Sequence, residues 1–302
     1  MRGDERRRGL GAYAAAAAVV GVLVAPAVAD AALLKPDVKA LEPGAVRLCR
    51  EMPKVQNVGD ACTGTGRTVI RISSKIGNRG RGPLEYRAVS PASDRPRDCH
   101  GDGNPDVDGD GNPDDNDVLV RQVIYEDSDH DGVFDRAADS VGKSKVVGCR
   151  YYHPLHDHYH VESFARYVLA DPRTGKTVRA GNKVSFCIAD TDPFDLSLPG
   201  AQQPSGGAGY YSDEACDARD SIQGTSVGWF DLYGWGLPGQ EIDISGIREG
   251  DYCVVTRADP KHRLVEMNPN NNDHAVRVHV DPSNAPTGSY VTLAQKPGRC
   301  HS

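Results

Sequence analysis

A cluster of four histidines is the feature of the sequence with the most evident chemistry. These histidines are His153, His156, His158 and His160. Alternate side chains of a β-strand share one face, so the last three can direct their imidazoles at one ion. Imidazole binds copper, zinc, iron and nickel, and His153, outside the alternation, is interpreted as a supporting residue of the same site. The spacing therefore predicts a transition-metal site.

The histidines alone do not choose the metal. Three imidazoles with an open fourth position also suit a hydrolytic zinc site. The pattern His158-x-His160-x-Glu162 partly imitates the metal motif of the cupin fold, although its carboxylate stands closer than in cupins. Zinc hydrolysis and a cupin-like site therefore stay open beside copper at this point.

Residues 98–139 form a second candidate metal region, in which the pattern Asp-Gly-x-x-Asp repeats. Calcium prefers six to eight oxygens, and carboxylates at alternate positions before a glycine are typical of its loops. Two structural calcium loops without flanking helices are predicted, and the alternative is a solvated acidic loop. The predicted ligands are Asp106, Asp108, Asp110, Asp114 and Asp117 in the first loop, and Asp127, Asp129, Asp131 and Asp135 in the second. Ala138 fills the twelfth position of the second loop, so its last ligand must come from elsewhere.

The elements that must position these groups are short and rich in β-branched residues. Examples are residues 68–72, 118–125, 167–169, 252–256 and 275–280. Helical periodicity is nearly absent, so the sequence predicts an all-β sandwich with long loops. Residues 193–228, rich in Gly, Pro, Ser and Asp, are predicted to form one long functional loop.

The first 29 residues are predicted to be a signal peptide, which makes the protein a secreted one. Arginines at positions 6–8 precede an apolar run over residues 12–25 that is too short for a membrane span, and residues 27–29 fit a cleavage site. The segment carries four Arg and two acidic residues, so its removal changes the net charge from −7 to −9. An acidic chain disfavours nucleic acid and anionic membranes and suits cationic partners such as amines.

The remaining residues, 30–302, are predicted to form one domain with residues 98–139 as an insert. All eight cysteines lie in this part: Cys49, Cys62, Cys99, Cys149, Cys187, Cys216, Cys253 and Cys300. An even number of cysteines in an exported chain predicts up to four disulfides, although spacing does not give their pairing. The tail after Asp281 is expected to be loose unless Cys300 anchors it.

From the histidine cluster onward, the sequence resembles the lysyl oxidase family. The copper motif of that family has the form H-x-x-H-x-H-Y-H, and residues 153–160 match it. Residues 181–187, GNKVSFC, are similar to the segment that holds the family's cofactor lysine. Residues 223–234, QGTSVGWFDLYG, are similar to the segment that holds its cofactor tyrosine. Shorter similarities occur at 69–80, 242–244, 250–252 and 263–272, and the composition resembles that of a bacterial member.

This resemblance implies a copper-dependent amine oxidase whose quinone cofactor is made from its own side chains. In such an enzyme copper and oxygen oxidise Tyr233, and the ε-amine of Lys183 adds to the ring to give lysine tyrosylquinone. A primary amine, peptidyl lysine included, is then oxidised to an aldehyde, and hydrogen peroxide and ammonia are released. The implied cofactors are copper and this quinone, while calcium comes from the acidic repeat.

The general base is the least determined part of this interpretation. The family position often discussed as the base falls on Arg166 in this chain. Asp231, Asp190 and Glu162 are the candidates that remain, and Asp231 is taken with Lys183 and Tyr233 as the catalytic set.

One further departure from the family pattern and one competing hypothesis follow from the same residues. Leu155 stands where vertebrate members have a cysteine inside the histidine motif, and Cys149 is interpreted as the source of a substitute disulfide. The competing hypothesis is a non-enzymatic exported module that binds copper and calcium, since metal binding alone requires no quinone.

Overall fold

The computed structural model describes residues 32–89, 118–153, 156–181, 185–206 and 208–300. Within these residues the regular structure is almost entirely β, in three sheets whose named strands pair antiparallel. Three 3₁₀ helices accompany the sheets, at Val58–Asp60, Asp213–Cys216 and Pro282–Asn284. The all-β prediction is therefore confirmed. No helix in the described ranges is both long enough and apolar enough to cross a membrane.

Several predicted features lie outside the described residues. They are the signal peptide at residues 1–29, Cys99, Lys183, and the first acidic loop with Asp106, Asp108, Asp110, Asp114 and Asp117. Their roles stay predictions.

The first sheet contains both the histidine cluster and the second acidic loop. Strands are numbered in chain order, and this sheet contains β1 (Leu33–Leu34), β5 (Leu84–Ala88), β6 (Val118–Glu126), β7 (Ser140–His153), β8 (His158–Val161) and β12 (Gln223–Thr225). Its order is β12-β5-β6-β7-β8, with β1 paired to β6. Residues 127–139 connect β6 to β7, so the second acidic loop is the tip of a hairpin, without flanking helices, as predicted.

The second and third sheets complete the fold. The second contains β2 (Val38–Ala40), β3 (Ala45–Glu51), β4 (Arg67–Asn78), β11 (Asp192–Pro193), β13 (Trp229–Tyr233), β14 (Glu241–Asp243) and β17 (Val291–Thr292). The third contains β9 (Ala165–Ala170), β10 (Thr177–Ala180), β15 (Gly250–Ala258) and β16 (Asp273–Val280). The twelve-residue β4 is the centre of the second sheet, since β2, β3, β13 and β14 all pair with it.

One apolar core joins the three sheets. It includes Ile70 and Ile72 of β4, Val120 of β6 and Val254 of β15, all at most 2% exposed. Strand β16 shows how the sequence pattern produces this core, because its valines at 276, 278 and 280 are buried while the residues between them are more exposed. Alternation with period two is what a strand with one face on a core requires.

The described cysteines are all oxidised. Disulfides join Cys49 to Cys62, Cys187 to Cys216 and Cys253 to Cys300. Cys149 is disulfide-bonded as well. The bond from Cys253, in β15, to Cys300 anchors the C-terminal tail, as the sequence suggested.

A buried ion pair between Arg71 and Glu51 connects β4 to β3. Both side chains are fully buried, and Nε of Arg71 donates to Glu51 Oε2 at 2.6 Å. Nη1 of the same guanidinium donates to the carbonyl oxygens of Trp235 (2.8 Å) and Leu237 (3.0 Å). Arg71 therefore holds the turn after β13 against β4.

Replacing Arg71 with Met should lower the free energy of unfolding by about 3 kcal/mol, because the fully buried Glu51 would keep only Arg67 as a charged partner. The matched control is Arg257→Met, whose pair with Asp273 is about one-third exposed. Removing this partly exposed pair should cost only about 0–1 kcal/mol. Urea titrations followed by tryptophan fluorescence measure both values, and equal losses in the two variants would contradict the role given to Arg71.

Glu85 of β5 is a second buried charge, and it contacts three separate parts of the chain. Its carboxylate accepts hydrogen bonds from the hydroxyl groups of Tyr211 (2.6 Å) and Tyr125 (3.1 Å). Arg136 and Arg87 pair with it at 2.9 and 2.6 Å. Burial raises the pKa of Glu85, but the bond from Tyr211 and the two guanidinium charges outweigh it, so the pKa lies below its ordinary value of 4.5.

This lowered pKa predicts a specific loss of stability in acid. A carboxyl whose folded pKa is depressed stabilises the fold fully above its unfolded pKa and loses that contribution as the pH falls through the folded value. The difference in unfolding free energy between the wild type and Glu85→Gln should therefore be largest near neutral pH and shrink below about pH 4.5. Urea titrations at a series of pH values test this, and a constant difference from pH 7 to pH 3 would argue against it.

Candidate active site

The hairpin of β7 and β8 positions the histidine cluster. His153 lies opposite His158, and Tyr151 lies opposite His160, so these four side chains share one face of the antiparallel pair. His156 is in the turn between the strands, where the amides of His156 and Asp157 both donate to the carbonyl oxygen of His153. The expectation that His156 continues the strand alternation is corrected here: a turn, closed by Asp157 with a φ of 57°, returns it to the same side.

Three of the histidines converge as a ligand set. One ring nitrogen from each of His156, His158 and His160 lies within 4.8 Å of the other two, so these three side chains form a group that could hold one metal ion. His160 is fully buried, and its Nδ1 lies 3.2 Å from Oγ of Ser185. Oγ of Ser185 also accepts a hydrogen bond of 2.5 Å from the hydroxyl of Tyr151. Ser185 and Tyr151 therefore orient His160, and neither was singled out in this role from the sequence.

His153 lies next to this set without belonging to it. Its ring centroid is 4.6 Å from the ring centroids of both His156 and His160. It is therefore in contact with the predicted ligands, which agrees with a supporting role.

Tyr233, at the end of β13, lies beside the histidines. Its ring is nearly perpendicular to that of His160, with centroids 6.4 Å apart, and it meets Phe186 edge to face at 4.6 Å. The hydroxyl donates to the carbonyl oxygen of Cys187 at 2.9 Å. Burial, and then the charge of Asp231, raise the pKa of Tyr233 well above its ordinary value. In the protein without metal, the phenol is therefore protonated.

A cavity of about 370 Å³ opens onto this arrangement. His156, His158 and Tyr233 are among its lining residues. The 3₁₀ helix Asp213–Cys216 and the residue after it also line the cavity, and this segment, with the carboxylates of Asp213, Glu214 and Asp217, is here called the acidic wall. The predicted loop over residues 193–228 contains this 3₁₀ helix and the short strand β12, so it is not without regular structure, and its composition did not distinguish these three acids.

The three candidates for the general base have very different environments. Asp231 lines the cavity two residues before Tyr233. Asp190 is buried and accepts hydrogen bonds from the amides of Tyr210, Tyr211 and Ser226, so its carboxylate is committed to holding a loop. Glu162 pairs with Arg263 and Lys261. Arg166 is exposed on β9 and does not line the cavity, so only Asp231 among these residues has access to it.

The second acidic loop brings three carboxylates together, although not the predicted four. Oxygens of Asp127, Asp129 and Asp139 lie within 4.8 Å of one another. Asp131 and Asp135 are outside this group, and their Oδ1 atoms instead accept hydrogen bonds from the amides of Val133 and Ala137. The signal for Asp139 was present in the sequence, since it directly follows Ala138, where a ligand was missing.

Backbone amides donate to all three carboxylates, but this leaves their negative charges without a cationic side chain among the described residues. Asp127 and Asp139 are 5% and 8% exposed, and Oδ1 of Asp127 is buried without a hydrogen-bond donor in the described chain. A backbone bond from Asp131 lowers the pKa of Asp129, but desolvation and the neighbouring charges of Asp131, Asp139 and Asp127 give a net rise. No Lys or Arg of the described residues pairs with the three carboxylates. The cluster therefore has the charge and the free oxygen of a cation site.

Comparison with known proteins agrees with the resemblance drawn from the residues. The family model for lysyl oxidase matches residues 140–287. Human protein-lysine 6-oxidase is 34% identical over 122 residues, which are 40% of this chain and 26% of the human protein. Human lysyl oxidase homolog 1 is 32% identical over 142 residues, 47% of this chain and 21% of the relative.

A relative from a bird gives the same result. Protein-lysine 6-oxidase of Gallus gallus is 33% identical over 122 residues, 40% of this chain and 26% of that protein. The chain thus spans about a quarter or less of the length of these curated relatives. The matched region contains the three converging histidines, Asp231 and Tyr233, and over residues 140–287 the chain matches the lysyl oxidase family.

Proposed function

We propose that this protein is a secreted, copper-dependent amine oxidase that converts primary amines, peptidyl lysine included, to aldehydes. The observation that carries the proposal is the meeting of three histidine nitrogens and a buried tyrosine at one cavity. Several disulfides support secretion, because such bonds persist in oxidising compartments. The names of the relatives, protein-lysine 6-oxidase and lysyl oxidase homolog, support the choice of substrate class.

The donor set fits copper. Three imidazoles are ligands that copper accepts readily, and His156, His158 and His160 would hold the ion with His153 in support. When bound, copper and a lysine tyrosylquinone formed from Lys183 and Tyr233 supply the electron-accepting chemistry, with oxygen as the final acceptor and hydrogen peroxide and ammonia as products. Zinc hydrolysis, by contrast, gives no role to the buried Tyr233 beside the histidines.

Contacts within the described chain fix the ring of Tyr233. Its hydroxyl donates to the carbonyl oxygen of Cys187, and its edge contact with Phe186 sets the orientation of the ring. Ser185 and Phe186, which follow Lys183 by two and three residues in the sequence, contact His160 and Tyr233. These contacts support the pairing of Lys183 with Tyr233.

Asp231 is the proposed general base. Asp231 lines the cavity two residues before Tyr233 on β13, and this supports it as the group that takes the proton from the carbon beside a substrate amine. A held substrate would make such a transfer intramolecular in effect. The other two carboxylates that were considered, Asp190 and Glu162, are engaged elsewhere.

The acidic wall supports cationic substrates. Amines are protonated near neutral pH, and Asp213, Glu214 and Asp217 lie along the cavity that such a cation would enter. Clefts lined by one sign of charge raise the local concentration of ligands of the opposite sign. The acidic wall should therefore strengthen binding most for substrates with a second positive charge, such as diamines or lysines in basic peptides.

Calcium is the second metal ion in this proposal, at the loop between β6 and β7. Asp127, Asp129 and Asp139 supply carboxylate oxygens, which are the ligands that calcium prefers. The buried Oδ1 of Asp127, without a donor in the described chain, supports a bound cation because a buried unpaired carboxylate oxygen is costly. The role is structural, since without the ion the clustered charges repel one another.

Copper-loaded protein kept in air should contain a covalent link between Lys183 and Tyr233. Tryptic digestion and mass spectrometry should find the two peptides joined, and the intact protein should release peroxide when offered primary amines. Both signals should fall to background in Lys183→Arg, because arginine cannot form the link. Lys176→Arg, a change at an exposed lysine seven residues earlier, is the matched control and should retain both.

The same measurements separate the competing functions. Fully copper-loaded aerobic protein with both residues unmodified and no peroxide would leave a metal-binding module as the better description. Turnover that continues without oxygen would point to hydrolysis by zinc.

Charge removal at the acidic wall should weaken binding of cationic substrates. Replacing Asp213 with Asn and Glu214 with Gln should raise KM for a linear diamine about fivefold per lost charge, which corresponds to roughly 1 kcal/mol for a charge pair about 4 Å apart in water. KM for a monoamine with an uncharged tail should rise less, because one of its two possible charge contacts is missing. Steady-state peroxide assays at low salt measure both constants.

Asp192→Asn is the control for net charge, since Asp192 is exposed on β11 and does not line the cavity. It should change neither KM by more than a small factor. A KM increase that is the same for the diamine and the monoamine would speak against a charge-selective wall.

A further inference from the structure

We infer that calcium bound at Asp127, Asp129 and Asp139 holds the acidic wall of the cavity in position, and that Arg136 transmits the effect. Residues 127–139 are called the calcium loop below. The inference rests on the proposed calcium site and adds a regulatory role to it: the substrate cavity would be complete only when this separate ion is bound.

The first step is from the ion site to the backbone of Arg136. Oδ2 of Asp139 accepts a hydrogen bond from the amide of Asp135 at 2.8 Å, and the amide of Asp139 donates to Asp135 O at 2.8 Å. Arg136 is therefore part of a turn that Asp139 closes at both ends. An ion that fixes the carboxylate of Asp139 also fixes this turn, whereas repulsion from Asp127 and Asp129 would open it.

The second step is from Arg136 to the long loop. Its Nη2 donates to the hydroxyl of Tyr211 at 2.8 Å, and its Nη1 donates to Glu85 at 2.9 Å. The guanidinium carbon lies 3.7 Å from the ring centroid of Tyr210. Arginine suits this position because its flat fork can donate to two partners while its face covers an aromatic ring.

The third step is from the two tyrosines to the wall. The amides of Tyr210 and Tyr211 both donate to Oδ2 of Asp190, at 2.9 and 3.1 Å, which fixes their backbone. Two residues further on, Asp213 begins the 3₁₀ helix that contains Asp213 and Glu214. The chain from Arg136 to these carboxylates is thus a short, continuous series of hydrogen bonds and covalent bonds.

A second contact joins the same two segments. A Cβ atom at Gly200, whose φ is 77°, would lie only 3.1 Å from the amide nitrogen of Phe134. Phe134 packs on Tyr125 with ring centroids 4.7 Å apart. The calcium loop and the long loop therefore touch at two places, and movement of one loop displaces the other.

Hydrogen–deuterium exchange of the whole protein with and without about 10 mM calcium tests this, a concentration above the 10⁻⁴–10⁻³ M range of weak extracellular calcium modules. In the wild type, calcium should slow exchange several-fold in peptides from 127–139 and also in peptides from 208–217. Magnesium at the same concentration should do neither. In Arg136→Lys, calcium should still slow exchange in 127–139 but no longer in 208–217, and calorimetry should show that the variant binds calcium as the wild type does.

Two further variants make the result specific. Asp139→Asn should lose both effects, together with calcium binding. Arg79→Lys is the matched control, since Arg79 also pairs with a carboxylate of the long loop, Asp195, and lies over Phe194, but it does not touch the calcium loop. It should behave as the wild type.

Each contrary result has a defined meaning. Absence of calcium binding in the wild type would overturn both the ion site and the inference. Binding that protects only 127–139 would overturn the coupling, and protection of 208–217 that survives in Arg136→Lys would overturn the role of Arg136. None of these measurements needs a quinone, so a chain that shows the coupling but releases no peroxide would contradict the oxidase proposal alone.

Discussion

The antiparallel pairing of β6, β7 and β8 is the constraint on which both candidate metal sites depend. Strand β7 runs for fourteen residues, and the acidic loop precedes its first residue while the histidine turn follows its last. At about 3.3 Å per residue, such a strand separates its ends by roughly 45 Å. One ladder of backbone hydrogen bonds therefore sets the register of the histidines and also holds the two loops far apart along the strand.

The long loop, residues 193–228, connects the regions at the two ends of β7. Tyr211 reaches the buried carboxylate of Glu85 from this loop, and Arg136 reaches the same carboxylate from the acidic loop. A buried carboxylate needs several donors, and here the donors come from segments that are distant in sequence. The acidic loop and the long loop therefore meet at the buried carboxylate of Glu85.

Local pattern was sufficient to predict the strands and the histidine cluster. Alternation in residues 275–280 and the β-branched run at 118–125 correspond to β16 and β6, because side-chain alternation is a property of the strand itself. His156 is the exception among the histidines. It follows the alternating pattern in sequence but lies in a turn, and the left-handed backbone of Asp157 that closes this turn leaves no periodic signal.

The sequence did not predict the residues whose role in the site depends on tertiary contacts. Asp213 and Glu214 occur in a polar loop like many others, and only the packing of that loop against β8 and β13 makes them a cavity wall. The choice among the three possible general bases also depended on tertiary contacts. Asp190, Glu162 and Asp231 look alike in sequence, and they differ only in what surrounds each carboxylate in the fold.

The disulfide between Cys187 and Cys216 has a consequence for the order of events in biosynthesis. It joins the residue that accepts the hydrogen bond of Tyr233 to the helix of the acidic wall, across a separation of 29 residues. Closing a loop of that length removes freedom from the unfolded chain that corresponds to about 3–4 kcal/mol. A chain made where thiols stay reduced would lack this covalent link, so the position of the acidic wall relative to Tyr233 depends on the redox state of the compartment in which the chain folds.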